Sequence, residues 1–109
     1  MMGLFNSILG LEPFDPAKHS PQDVGLGGMS TEYLATDYDL EGRPFNYPTI
    51  WFDQSGRAYH LPDQAFSLAI DYEAATGKRF PRFDEVGQGA YSAMNRSAMG
   101  GAAQGLLAK

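Results

Sequence analysis

Few residues in this chain are of a type and spacing that suit chemistry. The two histidines, His19 and His60, are isolated in the sequence, whereas a zinc site wants three or four convergent ligands. His60 reads as a surface residue of a strand. The run Asp37-Tyr38-Asp39-Leu40-Glu41-Gly42 opens like a calcium-binding loop. Such a loop needs a bidentate Glu at its twelfth position, and that position is Pro48. The run therefore reads as a solvated acidic turn. Asp71 and Glu73 read as adjacent on an exposed helix face, but a glycosidase needs its two carboxylates in a cleft. Lys78, Arg79 and Arg82 form a basic corner that reads as a solvated turn. There is no phosphate-cradling Gly loop and no nucleophile elbow. The residues predict no catalytic site, no metal site and no cofactor, and hence a protein that is not an enzyme.

The elements that position these residues are few. The chain has 109 residues, 13 Gly, 7 Pro and no Cys. That length suits one domain, and the Gly and Pro content favours irregular arms. Without Cys there are no disulfides and no thiolate metal sites. Residues 1–46 hold seven acids and two bases, while 47–109 hold six of each. The net charge of −5 thus belongs to the N-terminal part. An acidic segment is repelled by phosphate backbones, so no nucleic-acid partner is expected. No apolar run approaches the roughly 20 residues of a membrane span. The start lacks the basic region and cleavage site of a signal peptide.

Residues 47–61 read as a β-hairpin, with strands at Thr49–Phe52 and Ala58–Leu61. Between them Asp53-Gln54-Ser55-Gly56-Arg57 fits a short loop in which Gly56 takes a positive φ. Ile50 and Phe52 then share one face and Trp51 takes the other. A lone hairpin is unstable, so one face needs the following helices and the other needs the N-terminal arm or a partner. The spacing predicts a helix over 62–76, opened by Pro62-Asp63 and stopped by Gly77. Phe66, Ala69, Ile70, Glu73 and Ala74 define one stripe of it. Phe80-Pro81-Arg82-Phe83 reads as an extended link with both Phe buried. Asp84 caps a second helix over 85–98, where Gly87 and Gly89 permit close approach of another backbone.

The expected fold is a small α+β unit: a β-hairpin followed by two short helices, with a long extended N-terminal arm and a Gly-rich C-terminal tail. The divisions are 1–46 for the arm, 47–98 for the ββαα module and 99–109 for the tail. The module core is expected at Ile50, Phe52, Phe66, Ile70, Phe80 and Phe83. Leu4, Phe5, Ile8 and Leu9 fall at helical spacing and read either as a flexible N-terminus or as an anchor that folds into a groove on another chain. With Phe14 and Trp51 they are the candidate partner-binding residues.

The run Tyr47-Pro48-Thr49-Ile50-Trp51, then Pro62-Asp63-Gln64-Ala65 and Ala69, then Gly77-Lys78-Arg79-Phe80-Pro81-Arg82-Phe83, with Tyr91 and Arg96-Ser97, resembles a short module recurrent in tailed-bacteriophage virion-associated proteins. The resemblance covers residues 47–98. It departs at Gly87 and Gly89, where the module often has Ala and Glu. It implies no catalytic residues. It implies a structural component of a virion, a small subunit bound to the head, portal or tail through its N-terminal arm. The expected partners are other virion proteins in a symmetric multi-copy assembly, and the expected location is the virion, with the host cytoplasm during assembly. Two other readings stay open: an internal ejected virion protein or accessory module of a larger phage enzyme, and a soluble module that binds a host factor.

Overall fold

The computed structural model describes residues 10–90 and residue 93. They form three antiparallel hairpins and two short helices. Strand β1 (Gln22–Asp23) pairs with β2 (Met29–Ser30), β3 (Leu34–Tyr38) with β4 (Pro44–Pro48), and β5 (Ile50–Phe52) with β6 (Ala58–His60). Helix α1 spans Ala65–Thr76. Helix α2 begins at residue 86.

The β5–β6 hairpin follows the sequence expectation. Trp51 pairs with Tyr59, and Gly56 takes φ +88° in the loop. The two faces separate as alternation requires. Trp51 joins Phe45, Tyr47, Ala65, Leu68, Ala69 and Phe80 in the main core. Ile50 and Phe52 join Ala58 in a second cluster, covered by Phe14, Val24 and Leu26. Helix α1 therefore covers one face, and the N-terminal part of the chain covers the other.

That second cover corrects a central expectation. Over residues 10–46 the chain is not an extended arm. Glu12 bridges to Phe52, with N–H···O distances of 2.9 and 2.8 Å in the two directions. Phe45 is fully buried, and the whole of β4 is buried. The physical reason is that β4 has a neighbour on both edges. One edge pairs with β3 from Leu34↔Pro48 to Tyr38↔Pro44. On the other edge the Asn46 N–H donates to the Pro81 carbonyl at 3.1 Å, and the Phe83 N–H to Pro44 at 2.8 Å. Backbone groups at even-numbered positions of β4 thus point toward 81–83. Pro44 and Pro48 fall on that parity, so their missing N–H groups cost the β3 ladder nothing. Residues 1–9 and 99–109, the ends of the expected arm and tail, lie outside the described residues.

Helix α1 starts three residues later than expected. Its N-cap is Gln64, which makes no side-chain capping bond, so Asp63 does not cap it. The stop is as expected: Gly77 takes φ +76°, and its N–H bonds the Glu73 carbonyl. Ala65, Leu68 and Ala69 are the buried residues of the helix, while Phe66 and Ile70 pack at the margin of the core. Ile50, Phe52 and Phe80 are buried as expected, and Phe83 is half-buried.

At the start of α2 it is Gln88 that bonds the free backbone: its Oε1 accepts the N–H groups of Asp84 and Glu85 at 3.1 and 3.2 Å. Gly89 makes a close approach, but to the side chains of Thr36, Asn46 and Phe83 rather than to another backbone as expected. Its carbonyl accepts Asn46 Nδ2 at 2.9 Å. A Cβ there would lie 2.8 Å from Thr36 Cγ2 and 3.1 Å from Asn46 Oδ1. Gly87 faces open space. Gly89→Ala is therefore expected to cost about 1–3 kcal/mol by overpacking. Gly87→Ala should be neutral or stabilising by up to about 1 kcal/mol, through helix propensity. Urea midpoints of the two variants check this, and equal midpoints would contradict it.

Candidate functional site

Three charged side chains that are far apart in sequence meet beside the main core. Arg82 lies in the expected extended link, and its neighbour Phe80 is buried, which fixes the direction of the chain there. The Arg82 guanidinium donates from Nη1 and Nη2 to the two carboxylate oxygens of Glu73, at 2.7 and 2.8 Å. Its Nε donates to Asp39 Oδ2 at 2.8 Å. Nη1 also donates to the Phe80 carbonyl at 3.0 Å. The cation lies 4.3 Å above the centre of the Phe45 ring. All three side chains are nearly withdrawn from water, with exposures of 10, 9 and 4% for Arg82, Glu73 and Asp39. A fork-to-fork pair of this kind is the strong form of an ion pair. It joins α1, the 81–83 segment and the tip of the β3–β4 hairpin.

The electrostatics follow. Burial pushes the Glu73 carboxyl up, but the hydrogen bonds from Arg82 and from the Phe80 N–H outweigh it, so its pKa lies below the usual value. Burial acts the same way on Asp39, and the Arg43 N–H and Arg82 outweigh it there too. The bonds to Glu73 raise Arg82 further. Carboxylates depressed in the folded state stabilise it above their unfolded values, 3.8 for Asp39 and 4.5 for Glu73. That contribution is lost as pH falls through the depressed values. Thermal stability is thus expected to be flat near neutrality and to fall below about pH 4.5. Glu73→Gln should remove part of that fall. A melting temperature that does not change between pH 6 and 3 would contradict the network.

Asp39 does a second job. Its Oδ1 accepts the N–H groups of Glu41 and Arg43 at 2.9 and 2.8 Å. The Gly42 N–H bonds the Asp39 carbonyl at 3.0 Å, and the Asp39 N–H the Arg43 carbonyl at 2.8 Å. The same pattern recurs at Asp53: Oδ1 accepts from Ser55 and Arg57 at 2.9 and 3.0 Å, and both corresponding backbone bonds are 3.0 Å long. Gly42 and Gly56 match in φ, at +82° and +88°. The hydrogen bonds from Ser55 and the Arg57 N–H hold Asp53 down at about 2. The two hairpin loops are thus one motif, Asp-x-x-Gly-Arg, used twice. The repeat is visible in the sequence at 39–43 and 53–57 and would have identified the first loop as a hairpin turn. The acidic run at 37–42 is that turn, with Asp39 buried rather than solvated. Arg82 is likewise not part of a solvated corner.

Trp51, expected to contact a partner, has no exposed surface. Its ring faces the core and its Nε1 donates to the Pro48 carbonyl at 2.8 Å. Phe14 is half-buried, 5.7 Å from the Phe52 ring. It also lines an open cleft of about 240 Å³ with Pro13, Pro16, Pro48 and Tyr72; Lys18, Lys78, Glu12, Asp15 and Glu32 lie in the same lining. Burial, with the charges of Glu12 and Asp15, raises the Tyr72 phenol. Leu4, Phe5, Ile8 and Leu9 lie outside the described residues.

His19 was missed as a structural residue. Its ring stacks on Phe52 at 4.3 Å. Its Nδ1 accepts the Asp15 N–H at 2.9 Å, which leaves the proton on Nε2, 3.3 Å from Glu12. His60 is half-buried rather than on the surface, with its Nε2 buried and without a hydrogen-bond partner among the described residues. Its ring stands edge-on to Tyr33. Tyr33 itself is held at φ +44°, and Thr49 donates to its carbonyl at 2.6 Å.

Among the described residues no group of three His, Cys, Asp or Glu is placed to hold a metal, and no helix is long and apolar enough to cross a membrane. Among the described residues the exposed large apolar side chains are Met29, Tyr33, Tyr38, Leu40 and Val86, with Leu40 the most exposed of these at 77%. No family model, no curated protein and no solved structure matches the chain.

Proposed function

We propose that this chain is a structural, non-enzymatic component of a tailed-bacteriophage virion, a small subunit bound to the head, portal or tail assembly. The observation that carries the reading is where the residues of the resemblance fall. Trp51, Phe80 and Arg82 build the core and the buried ion pairs. They act on the fold and not on a ligand, as expected of a module that serves as a rigid mounting. Attachment is assigned to Leu4, Phe5, Ile8 and Leu9, ahead of the folded unit, and the partners are other virion proteins in many copies.

The test is quantitative mass spectrometry of density-purified particles, before and after release of their DNA. The reading expects a fixed copy number that survives DNA release. Loss together with the DNA would instead mark an ejected internal protein, and absence from washed particles a host-directed module. The double substitution Phe5→Asp with Ile8→Asp should abolish incorporation while the circular dichroism of the protein stays unchanged. Normal incorporation of that variant would contradict the attachment assigned here.

A further inference from the structure

Residues 20–31 run between two fixed points. On one side the His19 ring stacks on Phe52 at 4.3 Å. On the other the Glu32 carbonyl accepts the Thr49 and Ile50 N–H groups at 3.0 and 3.2 Å. Between these points β1 and β2 pair only with each other, Gln22 with Ser30 and Asp23 with Met29. Among the described residues, every hydrogen bond between this stretch and the rest of the protein involves one side chain. The Gln22 amide donates from Nε2 to the Gly56 carbonyl at 2.6 Å, and its Oε1 accepts the Ala58 N–H at 2.8 Å. A single peptide group of a parallel neighbour would sit on the edge of β6 in the same way, bonded to the residues on either side of Arg57.

What lies under the stretch is apolar. Ile50 and Phe52 have no exposed surface, and Ala58 is 8% exposed. Val24 and Leu26 pack on this cluster. Gln22, Val24 and Leu26 are half-buried while Asp23, Gly25 and Gly27 are exposed, so alternate side chains face inward. The hold on the cluster is thus two half-buried aliphatic side chains and one amide. Gly25 and Gly27 take φ +92° and +88°, a region that glycine enters without the penalty of a Cβ. A segment with few buried apolar contacts and few hydrogen bonds to its surroundings opens at less cost than the whole fold.

We propose that residues 20–31 form a strap that lifts from the Ile50, Phe52 and Ala58 cluster while the rest of the fold stays closed, and that the Gln22 amide is its catch. Lifting bares an apolar strand face and frees two backbone groups on the edge of β6, the Gly56 carbonyl and the Ala58 N–H. His19 and Glu32 stay in place as the two ends, so the strap returns to the same seat. Lifting is an excursion of the folded unit and not its unfolding. The fold thereby withholds an apolar surface that it can present. The strap goes beyond the particle reading and does not need the particle, because it belongs to the isolated chain.

Amide hydrogen exchange of the full, unsubstituted chain in increasing urea tests it. The Ala58 N–H should exchange at least about tenfold faster than the Ile50 and Phe52 N–H groups, and with a weaker dependence on urea, since a local opening exposes less surface than unfolding does. The chain has no Cys, so one introduced thiol reports on uncovering. Ala58→Cys, under the strap, should react with a maleimide at least about tenfold faster than Ala69→Cys, which lies in the main core. Adding Gln22→Ala should speed Ala58→Cys by a further factor of about ten and leave Ala69→Cys unchanged. The thiol is read independently of the hydrogen bond that Gln22→Ala removes, and circular dichroism confirms that each variant is folded. Equal rates and equal urea dependence at the two thiols, or an equal rise at both with Gln22→Ala, would overturn the strap, because the stretch would then open only with the whole fold. An unchanged Ala58→Cys rate with Gln22→Ala would overturn the catch. If a variant does not fold, the unsubstituted chain still decides: an Ala58 N–H that exchanges together with Ile50 and Phe52 overturns the strap by itself. Absence of the chain from particles would leave all of these rates as they are, so the two failures are distinguishable.

Discussion

Arg82→Ala is expected to destabilise the protein by about 3–5 kcal/mol, the range for stranding a buried charge by removing its partner. Here two carboxylates are stranded at once. Glu73 would keep the Phe80 N–H, and Asp39 would keep the Glu41 and Arg43 N–H groups. Neither would keep a cation of comparable geometry, since Arg79 reaches Glu73 only at 3.7 Å and is half in water. Small domains are stable by roughly 5–15 kcal/mol, so the variant should be partly unfolded at 37 °C. Removing the charges together should do less harm, because apolar replacement of a buried network is often close to neutral. The triple variant Asp39→Asn, Glu73→Gln, Arg82→Met is thus expected to recover much of the loss. Chemical denaturation of the single and triple variants reads this out. A loss below about 1 kcal/mol for Arg82→Ala is the cost of a solvated pair and would mean that the network is open to water.

Trp51→Ala is expected to cost a similar 3–5 kcal/mol, as large aromatic truncations in a core do. The indole packs between α1 and the 80–83 segment, edge-on to Tyr72 at 5.8 Å and to Phe80 at 6.4 Å. Its truncation would leave a cavity and strand the Pro48 carbonyl that accepts Nε1. Trp51→Phe should cost clearly less, since it refills most of the volume. Because Trp51 is the sole tryptophan, its fluorescence reports directly on this site. The native emission should lie to the blue and shift to the red in one step with the loss of helix signal. A soluble, folded Trp51→Ala protein with an unchanged midpoint would put the ring on the surface, as a partner contact requires.

How far the fold was legible depended on the range of the signal. The β5–β6 hairpin, its Gly56 loop, the division of Trp51 from Ile50 and Phe52, and the Gly77 stop are set by residues within a few positions of one another, and the pattern rules recovered them. Residues 10–46 were misread because their strands are two to five residues long. No periodicity develops in so few residues, and Pro44, which looks like a breaker, falls on the edge of β4 where β3 needs no N–H. The Asp39–Arg82–Glu73 network joins residues up to 43 positions apart, and charge spacing along the chain carries no trace of it. Sequence reasoning therefore read Arg82 as solvated and Asp39 as part of an acidic turn. The repeated Asp-x-x-Gly-Arg motif was the one local clue to that region.

The central claim is that residues 10–90 fold as one unit by themselves, with β4 held between β3 and 81–83. Amide hydrogen exchange on the dilute, isolated protein tests it most directly. The Asn46, Thr49, Ile50 and Phe52 N–H groups, which bond to Pro81, to Glu32 and to Glu12, should be protected together and open with the same free energy as the α1 core. Exchange of the amides of residues 10–46 at free-chain rates, beside a protected 50–76, would contradict it.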